Sequence, residues 1–119
     1  MITKVDLRVE VTAILRQMGT PAHLKGYYYL RDSILLVYDD PLLLDNMMKG
    51  LYKKVAQSHS TTPFSVERAI RNAIEITMDR GNTDYVYMIF SSTISRHKGK
   101  PTNREFIMSV VDLLKTIHG

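Results

Sequence analysis

The sequence predicts an all-α fold, a compact multi-helix domain of about six helices containing a helix-turn-helix. Three observations lead there. Apolar residues recur three and four apart in one window after another. Gly and Pro serve as punctuation between those windows. The composition, 45% hydrophobic and 24% charged over 119 residues, is that of one globular domain with enough chain to bury a core.

Leu7, Val11, Ile14, Leu15 and Met18 form the stripe of the first helix, with Gly19 at the position after its end. Its first turns also alternate as VDLRVEV, a strand-like period that leaves the start of the helix less defined than its end. The second helix starts about Lys25 and carries Tyr27, Leu30, Ile34, Val37 and Tyr38 on one face, and Asp39, Asp40 and Pro41 stop it. A third, short helix is expected from Leu42 to Met48, ending near Gly50. The stretch LYKKVAQSHS then reads as a helix of two to three turns with Leu51 and Val55 inward.

Thr62 as N-cap and Pro63 at the first helical position start the next helix. It runs to about Arg80, is closed by Gly81 and buries Val66, Ile70, Ala73, Ile74 and Thr77. Asp84 to Phe90 forms a further short helix. Thr102 and Glu105 fit a capping box for the last one, whose inward face is Phe106, Val110, Val111 and Leu114.

With 16 Lys and Arg against 12 Asp and Glu, the net charge is +4. The stretch RHKGKPTNR holds Arg96, Lys98, Lys100 and Arg104 without an acid, so it contains the whole surplus. A charge run of this length is a solvated loop or an element that touches phosphate. There is no cysteine, which removes disulfides, thiolate metal sites and thiol catalysis. His23, His59, His97 and His118 are scattered and have no carboxylate at ligand spacing, so surface or capping positions are expected for them and no metal site. Gly99-Lys100 lacks the rest of a phosphate loop. No enzyme and no cofactor is expected. No apolar run approaches the roughly 20 residues that span a bilayer, and no basic-then-apolar leader opens the chain; the expectation is a cytoplasmic protein without a membrane partner.

A short helix, a tight turn and a longer helix make a helix-turn-helix over about residues 51–80, with small Ala56 allowing a close crossing. On the second of these helices Arg68, Arg71, Asn72 and Glu75 recur at i, i+3, i+4 and i+7, opposite the apolar stripe, with Ser65 and Glu67 beside them. Arg reads guanine, Asn adenine, and Glu the cytosine amino group. The same face also fits a solvated helix with Arg71–Glu75 pairing, and from Thr61 to Arg80 three Arg balance three acids. The face alone leaves both readings open.

Four ordered segments add to it: PAHLKGYYYLRDSI (Pro21 to Ile34), TTPFSVERAIRNAIE (Thr61 to Glu75), DRGN (Asp79 to Asn82) and GKPTNREFI (Gly99 to Ile107). Together they resemble the DNA-binding effector domain of the sporulation master response regulator of spore-forming Firmicutes. The resemblance implies an all-helical domain that binds double-stranded DNA at TGNCGAA-type boxes as dimeric or tandem copies. It also implies activation or repression of transcription through contact with RNA polymerase and its sigma factor, released by phosphorylation of a receiver domain. Against the family pattern TTxSRVERAIRHAIE, Glu67, Arg68 and Arg71 match residues that face DNA, while Ser65 replaces an Arg and Asn72 a His. Losing one bidentate Arg removes about 1–3 kcal/mol of discrimination at one base pair. Ile89 to Ile94 also departs from the family version.

The base-reading candidates are therefore Glu67, Arg68, Arg71, Ser65 and Asn72, and the phosphate candidates Lys98, Lys100, Arg96 and Thr62. At 119 residues the chain reads as a single effector domain, with no room for an α/β receiver. The alternative function is a protein-interaction module of the same fold that has lost box recognition and acts on the full-length regulator or on RNA polymerase.

Overall fold

A computed structural model describes residues 2–90 and 99–119. Six α-helices follow in order: α1 (Lys4–Met18), α2 (Lys25–Asp39), α3 (Lys53–Ser58), α4 (Pro63–Arg80), α5 (Thr83–Phe90) and α6 (Asn103–His118). A 3₁₀ turn, Pro41–Asp45, and a wide π-type turn, Met47–Tyr52, join α2 to α3. No strand occurs among the described residues.

The helix ends follow local chemistry. The Thr3 hydroxyl accepts from the Asp6 N–H at 3.1 Å and starts α1. Gly19, at φ 90°, ends it with its N–H on the Arg16 carbonyl, and the Thr20 N–H reaches the Leu15 carbonyl. The VDLRVEV alternation divides cleanly on this helix: Leu7 and Val11 are buried, while Val5 and Val9 are 72% and 64% exposed. On α6 the capping box forms in both directions between Thr102 and Glu105.

Helix α2 is the hub, packing against α4, α6 and α1. Its buried set, Gly26, Tyr27, Tyr29, Leu30, Ser33, Ile34 and Val37, covers one broad arc of about 160° around the helix. Tyr27 and Tyr29 enter the core, whereas Tyr28 stays exposed with the Arg31 guanidinium 5.1 Å from its ring centre. The tightest crossing is at Gly26 against α4: a Cβ there would lie 2.1 Å from the Ala69 carbonyl oxygen. This glycine fixes where α4 can sit against α2, while Ala56, expected at the α3–α4 crossing, is buried.

Two expected stops differ. Gly50 does not end a helix. The Asn46 carbonyl accepts from both the Gly50 and Leu51 N–H groups, at 2.9 and 3.1 Å, so the backbone widens by one residue and continues into α3. The expected helix from Leu42 to Met48 is instead split between the 3₁₀ and π-type turns. Gly81 does end α4, but with φ −76° and ψ −174° it is extended and not left-handed. Space is its reason: a Cβ at Gly81 would meet the Met18 and Thr77 carbonyl oxygens at 2.2 and 2.3 Å. There the Asn82 N–H donates to the Met18 carbonyl at 2.9 Å, and buried Thr20 and Thr77 hydroxyls bond at 2.8 Å while Thr77 donates to the Ala73 carbonyl. These bonds join the ends of α1 and α4.

Candidate nucleic-acid interface

Helices α3 and α4 are joined by a tight turn that must reverse the chain within a few residues. The His59 N–H closes α3 on the Val55 and Ala56 carbonyls, Thr61 N–H returns to the Ala56 carbonyl at 3.0 Å, and Ser60 between them adopts φ 54°. The turn is also held from α2. His59 Nε2 and Asp32 Oδ2 are 2.6 Å apart, and the His59 ring meets the Tyr29 ring edge to face at 5.0 Å. His59 is thus more than the surface or cap position expected of it: it braces the helix-turn-helix. His118 likewise pairs with Glu10.

Thr62 caps α4 as predicted, accepting from the Ser65 N–H at 3.2 Å, and its own proton goes to Ser65 Oγ at 3.0 Å. Along α4 the predicted stripe of Val66, Ile70, Ala73, Ile74 and Thr77 is buried. Of the predicted readers, Ser65, Arg68 and Asn72 are exposed, and Glu67 and Arg71 are half-buried.

Glu67, Arg68, Arg71 and Asn72 line one open groove of about 550 Å³, whose far wall includes Tyr52 and Asn103. Ser65 lies outside it. Arg71 is anchored there: Nη1 donates to the Pro101 carbonyl at 2.8 Å, and Nε lies 3.4 Å from Glu75 Oε1. Its Nε and Nη2 are buried and make no hydrogen bond among the described residues. Arg68 makes no ion pair or hydrogen bond among the described residues. Behind them Asn103 Nδ2 donates to the Tyr52 hydroxyl and to the Glu67 carbonyl, both at 3.2 Å. Burial, and to a smaller degree the charge of Glu67, push the Tyr52 hydroxyl up to about 12, against the opposing Asn103 hydrogen bond and Arg71 charge. It stays a neutral donor and acceptor across the working pH range.

The basic stretch is less free than its charge suggests. Lys100 Nζ sits 3.0 Å from Asp79 Oδ1, and Arg104 donates from Nε to the Leu44 carbonyl at 3.1 Å with Asp45 nearby. Arg96 and Lys98 lie outside the described residues, as does most of the Ile89 to Ile94 segment.

Two features of the helix pair escaped the sequence reading. Lys53 and Lys54 on α3 are exposed and make no ion pair among the described residues; the Lys-Lys pair within LYKKVAQSHS was the available signal. Phe64 is exposed in the first turn of α4, at the position where the family pattern carries Ser. The helical wheel could have found it, since Phe64 falls about 40° from Arg68 and well off the buried stripe.

Residues 11–114 match the family described as Sporulation initiation factor Spo0A C terminal. The chain belongs to this family. The match starts within α1, ends within α6 and takes in α3, the turn and α4 whole. Spo0A C-terminal domains are helical, DNA-binding effector domains of transcription regulation in sporulation and not an enzyme family. No helix among the described residues is long and apolar enough to cross a membrane.

Proposed function

We propose that this domain recognises TGNCGAA-type boxes in double-stranded DNA by laying α4 in the major groove. The observation that carries the reading is the gathering of Glu67, Arg68, Arg71 and Asn72 along one groove of the second helix of a helix-turn-helix. Arg68, exposed and without a protein partner among the described residues, is the main base reader. Arg71 is steadied by the Pro101 carbonyl with Nη2 buried and unpaired among the described residues, and its guanidinium must turn outward to reach a second base or a phosphate. Glu67, Asn72 and Ser65 tune the preference, with Ser65 weakening discrimination at the base pair an Arg would read. Phosphates are held by Lys53 and Lys54 on α3, the helix that crosses the backbone in this motif, together with Thr62, Arg96, Lys98 and Lys100. Lys100 must release Asp79 to take part. Contact with RNA polymerase and its sigma factor, and dimeric or tandem binding, complete the regulatory role.

Fluorescence anisotropy on a TGNCGAA duplex tests this. Arg68→Ala is expected to weaken binding by about 1–3 kcal/mol with the fold intact, and equal affinity of variant and parent would sink the assignment. The rival reading, an interaction module acting on the full-length regulator or polymerase, is favoured by Ser65 in place of Arg. It predicts no binding at moderate salt and no gain from Ser65→Arg, whereas base reading predicts sharper box preference in that variant.

A further inference from the structure

Phe64 is 69% exposed in the first turn of α4. A lone exposed aromatic is ordinary on a protein surface. The surroundings of this one are specific: it falls about 40° around the helix from Arg68, and its neighbours Ser65 and Arg68 are exposed with it. Among the described residues, the other large apolar side chains that are strongly exposed, Val5, Val9, Leu42, Tyr87, Met88 and Ile117, belong to other elements. The N-terminal turns of the second helix of a helix-turn-helix are the part that meets base edges. In the major groove only one base-edge group is apolar, the 5-methyl of thymine.

We propose that Phe64 is a specificity residue that reads a thymine by packing its ring on the 5-methyl group, close to the base pair read by Arg68. The inference rests on α4 being the DNA reader and deepens that reading. The contact is apolar and needs no hydrogen bond, so it favours thymine over uracil and accepts 5-methylcytosine in the same place.

The test begins with boxes selected by this chain from a random duplex library. Each thymine of the enriched box is then replaced by deoxyuridine, which removes the methyl alone, and binding is measured by anisotropy at fixed salt for the parent, Phe64→Ser and Phe64→Leu. At one thymine the parent is expected to lose about three- to fivefold in affinity, the size of one methyl group leaving water. Phe64→Ser should lose a similar factor on the thymine duplex and then be indifferent to the methyl, and Phe64→Leu should retain part of the discrimination. A box in which no methyl matters to the parent, or a Phe64→Ser variant as methyl-sensitive as the parent, overturns the role of Phe64 and leaves the DNA reading standing. Failure to enrich any box overturns both. If Phe64→Ser misfolds, Phe64→Leu carries the comparison, and a loss on deoxyuridine as large as the parent's overturns the role.

Discussion

Ser60 holds a left-handed backbone, φ 54°, where an L side chain costs about 1–2 kcal/mol and glycine nothing. Glycine also gains freedom in the unfolded chain, which offsets part of the relief. Ser60→Gly is therefore expected to raise unfolding stability by about 0.5 kcal/mol in urea titrations, and Ser60→Val to lower it by more than that. The two arginines of α4 separate by the same kind of measurement. Arg68 is exposed and makes no hydrogen bond or ion pair among the described residues, so Arg68→Ala should leave stability within about 0.5 kcal/mol. Arg71→Ala strips the Pro101 carbonyl of its donor and should cost about 1–2 kcal/mol of stability in addition to any loss of DNA affinity. A urea midpoint unchanged in Arg71→Ala would refute the anchoring role.

Between elements, the site depends on contacts far apart in sequence. Gly26 sets the α2–α4 crossing, and Gly26→Ala drives a methyl into the Ala69 carbonyl; a loss of about 1–3 kcal/mol is expected, with weaker DNA binding because α4 must shift. Asn103 of α6 donates both to the back of α4, at the Glu67 carbonyl, and to the Tyr52 hydroxyl. The folded pKa of Tyr52, about 12, lies above the unfolded value of 10.0. Below pH 10 the phenol is neutral in both states, so this stabilisation is fully present. Between pH 10 and about 12 only the unfolded state ionises, and stability should fall by about 1.4 kcal/mol per pH unit. Absorbance at the phenolate band against pH, compared in the parent and Tyr52→Phe, checks the value directly. What the sequence made readable at this level was local. The Thr62-Pro63 start, the Thr102–Glu105 box and the α4 stripe each lie within a turn or two of chain. The Gly26 contact, the Asp32–His59 brace and the Arg71–Pro101 anchor join residues 27 or more positions apart, and helical periodicity carries no information about them. Gly50 misled for a related reason: a glycine does not by itself end a helix, and here the backbone widens at Asn46 and runs on through it.

For the whole molecule, the charge surplus of +4 counted by position pointed to the stretch from Arg96 to Arg104, yet two of its four cations face carboxylates, Lys100 on Asp79 and Arg104 near Asp45. Such exposed pairs contribute little to stability, but each must be broken before its cation can displace a DNA counterion. Lys53 and Lys54 carry no such cost among the described residues. This difference is measurable, because each phosphate neutralised contributes about 0.9 to the slope of log affinity against log salt. Lys53→Gln with Lys54→Gln is expected to flatten the slope by about 1–2 and to weaken specific and scrambled duplexes alike, since phosphates carry no sequence. Lys100→Gln should flatten it by less than Lys53→Gln does alone, and Asp79→Asn, which frees Lys100, should steepen it. If Lys100→Gln flattens the slope more than the α3 double variant, the phosphate anchor belongs to the basic stretch and the assignment to α3 fails.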